Sequence, residues 1–218
     1  MKKNSNLLIV RAGDSSLHQN WMGANQNFDI IISYYGCNSL IYKDQSLRVD
    51  HKGSKWQGLH LTMNDPRVNW QDYEYICFPD DDLDSTCENL NSFFSIVHDL
   101  NPILSQPALT KDSYFSHDIL LQRDNVKYRK VDFIEVMTPC FRRDFLFSAK
   151  HTFAENISGW GLDYLWSSMI DHKTEDMIVV DETPVKHTRP VGNSGNGTGA
   201  NIVDPSKELD DLKRKFLI

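Results

Sequence analysis

Cysteine is scarce in this chain. The four present, Cys37, Cys77, Cys87 and Cys140, form no C-x-x-C pair. That argues against a cysteine-built zinc site and against a disulfide framework. Reduced thiols and a cytoplasmic location are the expectation. Positive charge is also in deficit, with 23 Lys and Arg against 30 Asp and Glu and a formal net charge of -7. Phosphate backbones need a basic face, so no nucleic acid partner is expected. No apolar run approaches the length of a membrane span. The run before Arg11 and Asp14 is too short for a signal peptide core, so neither a transmembrane segment nor a leader is expected. Internal repeats and interdomain linkers are lacking. The single low-complexity piece, 192–199, reads Gly-Asn-Ser-Gly-Asn-Gly-Thr-Gly and is expected to be a mobile loop.

What remains is an ordinary globular composition. A chain of 218 residues with 40% hydrophobic content is long enough for one good core, and a single domain over 1–218 is the simplest count. Asn6 to Val10 and Phe28 to Tyr35 are apolar on both faces, as strands of a helix-covered parallel sheet must be. Their separation is that of a βαβ unit. Short strands are expected at 39–42 and 46–50, and a helix from the Gly53–Leu59 stretch to about Asn64. Asn89 to Leu100 carries Leu90, Phe93, Phe94, Val97 and Leu100 at near-helical spacing. Strands, or a strand and its approach, are read at 119–123 and 128–137. Thr138-Pro139-Cys140-Phe141 is read as turning into a helix through Phe147. A last strand is read at 177–180, and an amphipathic tail helix from Asp204.

The stretch that organises this pattern is Tyr73 to Asp84, Tyr-Glu-Tyr-Ile-Cys-Phe-Pro-Asp-Asp-Asp-Leu-Asp. An apolar strand is stopped by Pro79, and three carboxylates follow at once. Crowded like charges are costly to desolvate, and one hard divalent cation relieves that cost. Asp80 and Asp82 are therefore candidate ligands for Mn²⁺ or Mg²⁺. A solvated acidic turn capping the next helix is the alternative.

Three other places carry possible chemistry. Gly159-Trp160-Gly161-Leu162-Asp163 is a glycine-framed turn in which the backbone is free to approach a ligand closely. Trp160 offers a flat wall for a sugar ring, and Asp163 lies at a helix N-terminus, where a plain N-cap is the alternative. Asp181 and His187 follow the last strand, and a neutral His187 is a candidate metal ligand. Lys55 and Arg11 are candidate phosphate neutralisers, and Trp56 a core residue. Glu135 lies in an apolar run where a carboxylate needs a partner, either a structural ion pair or an acceptor.

Phe78-Pro-Asp-Asp-Asp-Leu83, Ser105-Gln-Pro-Ala-Leu109, Phe133-Ile-Glu-Val-Met-Thr-Pro-Cys-Phe141, Gly159-Trp-Gly-Leu-Asp163, Val179-Val-Asp181 with His187, and Lys55-Trp56 occur in this order. The ordered set resembles the DUF707 family over about residues 5 to 192. That family is in turn similar to glycosyltransferases of the GT-A fold. The resemblance implies an α/β, mostly parallel sandwich and a metal-dependent transfer from a nucleotide-diphosphate sugar to a carbohydrate or other hydroxyl acceptor, with inversion. It implies Asp80, Asp82 and His187 as metal ligands and Asp163 as general base. Arg11, Lys55 and Asp81 fall to the donor, and Trp160, Gly161 and Glu135 to the acceptor. No nucleotide-base pocket is matched. A catalytically inactive carbohydrate- or nucleotide-sugar-binding module on the same fold is the alternative. An aspartyl phosphatase ranks last, because its D-x-D follows the first core strand.

Overall fold

The structure is a computed structural model that describes residues 4–43, 47–191 and 203–218. The Gly-rich stretch 192–199 lies outside the described residues. Strand β1 (Asn6–Ala12) pairs in parallel with β2 (Phe28–Tyr34) and β4 (Tyr75–Cys77), and β2 pairs in parallel with β3 (Leu47–Asp50). Along β1, Leu7 and Ile9 enter one core while Leu8, Val10 and Ala12 enter the other. This is the two-sided burial that a period of two gives when helices cover both faces.

Beyond β4 comes β8 (Cys140–Arg142), antiparallel to both β4 and β6 (Leu104–Leu109). Next is β9 (Met177–His187), parallel to β6. β5 (Leu83–Asp84) and β7 (Tyr128–Val131) pair antiparallel with β9. The order is β3-β2-β1-β4-β8-β6-β9-β5, with β7 also on β9. Because β8 reverses direction twice over, β3, β2, β1, β4, β6 and β9 all run the same way. The sheet is mostly parallel, as the sequence implied.

Four helices cover one face: α1 (Lys55–Met63), α3 (Arg143–Ala149), α4 (Leu162–Ser168) and the terminal α5 (Pro205–Phe216). The aromatic centre of this core brings the Trp56 ring to 4.6 Å from Phe153 and 4.9 Å from Trp166. The other face is covered by α2 (Cys87–Leu100), which buries Leu90, Phe93, Phe94, Ile96 and Val97. Each such side chain contributes roughly 1.5–3 kcal/mol. Thr86 Oγ1 caps α2 by accepting from Asn89 N–H, and Asn101 ends it in the left-handed region. The acidic cluster is therefore not the cap of α2. Asp204 caps α5, with Pro205 in its first turn.

Several local expectations are corrected. Residues 39–42 form turns rather than a strand, because Tyr42 adopts φ 60° and its ring packs 4.5 Å from His18. The 119–123 stretch is a short 3-10 turn, Asp118–Leu120, with one bridge from Leu121 to Leu109. β7 stops at Val131, and 132–139 is irregular. Cys140–Phe141 is strand, not helix, because β4 and β6 each supply a ladder to it; the helix starts at Arg143. The last strand runs on from Val180 to His187.

Gly159 has φ +84°, and a Cβ built there would lie 2.6 Å from Cδ1 of the buried Trp56. Gly159→Ala is expected to lower stability by about 2–4 kcal/mol, combining left-handed strain with overpacking. Urea unfolding followed by tryptophan fluorescence measures it.

Candidate active site

The acidic cluster follows β4 at the carboxyl ends of the parallel strands, where open α/β sheets bind ligands. Asp80 is fixed by its backbone. Its N–H donates to Met137 C=O at 2.8 Å, and Arg11 of β1 bridges to it in parallel. The β5–β9 ladder then does what no local pattern can. It sets Leu83 opposite His187, bringing Asp82 beside a residue 105 positions later. Thr188 closes the junction by donating its N–H and its hydroxyl to Asp82 C=O, at 3.2 and 2.7 Å.

Potential ligand atoms of Asp80, Asp82 and His187 lie within 4.8 Å of one another. His187 Nε2 is 3.3 Å from Asp82 Oδ2, and Nδ1 is 2.8 Å from Tyr114 C=O. A carbonyl only accepts, so Nδ1 carries a proton, and Nε2, facing Asp82, is the nitrogen that can take either a second proton or a metal. That is the outer-partner arrangement that orients metal-binding histidines. Two carboxylates and an imidazole in this geometry could hold a divalent cation. Burial disfavours the His187 cation, but the hydrogen bond and charge of Asp82 outweigh it, and its pKa is raised overall. Loss of solvent pushes Asp80 above the usual carboxylate range, with Lys55 opposing and Asp82 adding to the rise.

The remaining donor-side candidates are engaged within the protein. Lys55 Nζ lies 2.6 Å from Asp80 Oδ1 and donates to Val136 C=O at 2.6 Å and Met137 C=O at 2.9 Å. Its three donors thus brace Asp80 against the β7–β8 loop. Arg11 is buried; its guanidinium donates to Ser33 and, at 2.9 Å, to Gly53 C=O. Burial lowers its pKa to about 10. Asp81 accepts from Gly13 N–H at 2.7 Å and faces Arg189 at 3.3 Å; burial raises its pKa to about 6. Asp181 is not with His187. It pairs with Arg129 at 3.1 Å and accepts from Arg123 N–H at 2.8 Å.

Among the acceptor candidates, Trp160 is 44% exposed. Gly161 has φ +94°, and the space left by its missing side chain is filled by Leu209 of α5, 2.9 Å from a built Cβ. Its glycine is thus demanded by the docking of α5. Glu208 reinforces that docking by accepting from the N–H groups of Ile157 and Ser158, at 3.0 and 2.8 Å. Gly161, not Asp163, occupies the N-cap position of α4. Asp163 lies in the first turn, buried, with Oδ1 accepting from Tyr164 N–H at 2.9 Å. Burial raises its pKa to about 6.

Glu135 is 3% exposed, and its Oε1 has no hydrogen-bond partner among the described residues. No ion pair to it occurs among the described residues either. Burial, then the charges of Asp80 and Asp163, raise its pKa to about 8. The folded state therefore holds this proton between pH 4.5 and 8 while the unfolded chain releases it. Stability falls as pH rises through that window. Without added metal, Glu135→Gln is expected to match the wild type near pH 5 and to exceed it at pH 8 by on the order of 3 kcal/mol. Urea titrations at the two pH values measure the difference.

The sequence reading missed three residues here. Arg189 reaches Asp81, approaches Asp82 to 4.0 Å, and donates to Ser15 C=O at 2.9 Å. Tyr114 orients His187. Gln106 Oε1 accepts Glu135 N–H at 3.0 Å. The one available signal was Arg189 lying two residues after His187, and nothing local separates it from a solvated arginine.

Solved structures share this architecture. S. aureus TarS 1-349 in complex with UDP-GlcNAc superposes with a TM-score of 0.65 and 10% identity, over 98% of this chain and 65% of that one. GalNAc-T7 with UDP, GalNAc and Mn²⁺ gives 0.65 and 11%, over 97% of this chain and 48% of that one. A protein assigned as a nucleotide-diphospho-sugar transferase from Desulfovibrio desulfuricans G20 gives 0.51 and 11%, over 98% and 99%. At such identity the likeness establishes the fold, a GT-A-type α/β sandwich. This chain spans less than two thirds of the first two. No curated protein matches it in sequence. The family profile described as "Protein of unknown function (DUF707)" matches residues 25–215, and the chain therefore belongs to the DUF707 family.

Proposed function

We propose that this protein is a metal-dependent glycosyltransferase that moves a sugar from a nucleotide-diphosphate donor to a hydroxyl acceptor with inversion. The observation that carries the reading is the convergence of Asp80, Asp82 and His187 at the carboxyl ends of the parallel strands. These residues would hold Mn²⁺ or Mg²⁺, which when bound supplies positive charge to the leaving diphosphate. Lys55 keeps Asp80 aimed at that position, and Tyr114 keeps His187 in the ligating tautomer. Arg189, 39% exposed at the rim and shared with Asp81 and Ser15, adds a cation for the phosphates beside Lys55 and Arg11. Asp163 takes the proton of the acceptor hydroxyl as general base, beside the Trp160 wall.

A thermal-shift screen of nucleotide sugars with and without Mn²⁺ tests the reading, since ligands of the folded state raise its melting temperature. A shift that requires both components is expected. If no nucleotide sugar shifts the melt, or if shifts ignore the metal, the proposal fails. Binding without transfer to any acceptor would indicate an inactive binding module.

A further inference from the structure

We propose that Glu135 grips a hydroxyl of the transferred sugar and is a specificity-determining residue of the donor site. This rests on the glycosyltransferase reading and reassigns Glu135 from the acceptor to the donor.

The position of the carboxyl comes first. Its loop touches both parts of the site: Val136 and Met137 C=O accept from Lys55, which pairs with Asp80, and the Phe133 ring lies 5.2 Å from that of Tyr164, next to Asp163. In the proposed reaction, the group lying between the metal-held diphosphate and the general base is the transferred sugar. The loop is also held in place. Gln106 fixes Glu135 N–H, while Lys55 and Asp80 N–H bind the carbonyls of the next two residues, Val136 and Met137. The backbone of this irregular loop is thus tied to β6, to α1 and to Asp80.

The chemistry of the missing partner follows. Oε1 is buried and has no partner among the described residues, and leaving a buried acceptor unpaired is costly. Its partner must be able to donate to one carboxyl oxygen and to accept the proton of a protonated one. An ionised phosphate oxygen only accepts and meets one of these conditions. A neutral hydroxyl satisfies both conditions, and a sugar ring carries several. A site built to bind a hydroxyl discriminates strongly against analogues that lack it.

Isothermal titration at pH 7.5 with Mn²⁺, and with no acceptor present, tests this. The probes are UDP and GDP against UDP-glucose, UDP-GlcNAc, UDP-GalNAc and GDP-mannose. The wild type is expected to bind one sugar nucleotide more tightly than its parent diphosphate. Glu135→Leu should weaken that binding by roughly 3- to 10-fold, the worth of a hydrogen bond to a neutral group. Binding of the parent diphosphate should stay within about 2-fold, and Glu135→Gln, which still accepts, should be intermediate. Gln replaces a carboxyl that the fold already keeps protonated, so its melting temperature should not drop. An unchanged sugar-dependent gain in Glu135→Leu, or an equal loss for diphosphate and sugar nucleotide, overturns the inference and leaves the proposed function standing. A wild type that binds no nucleotide diphosphate with Mn²⁺ overturns both.

Discussion

Asp82→Ala is expected to lower Mn²⁺-dependent affinity for a nucleotide diphosphate by about two orders of magnitude or more. Outer partners of metal ligands alone are worth 10- to 100-fold, and a carboxylate donating directly is worth at least that. The substitution also strands His187, whose Nε2 faces Asp82 at 3.3 Å. Asp80→Ala should act in the same direction and additionally leave the Lys55 ammonium with two carbonyls and no counter-charge. Both backbones stay anchored, Asp80 through Met137 C=O and Asp82 through Thr188, so circular dichroism should be unchanged. Equilibrium titration of nucleotide at several Mn²⁺ concentrations measures the effect. Metal-dependent binding that persists in both variants would reduce the cluster to an acidic turn.

Asp163→Asn is the second large effect. Asn keeps the size of the side chain and an oxygen to accept Tyr164 N–H, so stability and donor binding should be spared. Turnover should fall by roughly two to four orders of magnitude, the usual range for a general base. The wild-type rate carries its own signature. The Asp163 pKa is raised to about 6 by burial, and the basic form is present only above it. Turnover should therefore fall about tenfold per pH unit below 6, and the Asn variant should lose that limb. Wild-type turnover in Asp163→Asn would remove the base role even with the transferase assignment intact.

The site divides by the range of the interactions that build it. Parallel strands, the acidic stretch at a strand end, the α2 stripe and the amphipathic terminal helix were legible in the sequence. Each rests on spacing within about a dozen residues, where side-chain period and terminators such as Pro79 act locally. The same local reasoning failed at Cys140–Phe141, because a three-residue strand is defined by β4 and β6 rather than by its own pattern. It failed at 39–42, where a left-handed Tyr42 packs on His18.

The gathering of the site was decided by tertiary structure. The resemblance implied Asp80, Asp82 and His187 as a set; only the β5–β9 register accounts for their proximity. Asp181, equally plausible by sequence, was taken by Arg129. Lys55 and Arg11 look like free cations in one dimension, yet the fold commits them to Asp80, Ser33 and Gly53. Glu135 is the reverse case, a carboxylate expected to have a partner whose Oε1 has none among the described residues. Sequence determines which groups are available. Pairing and burial depend on strand register and loop path, which bring together residues tens to more than a hundred positions apart, and these decided which carboxylates stay free for chemistry.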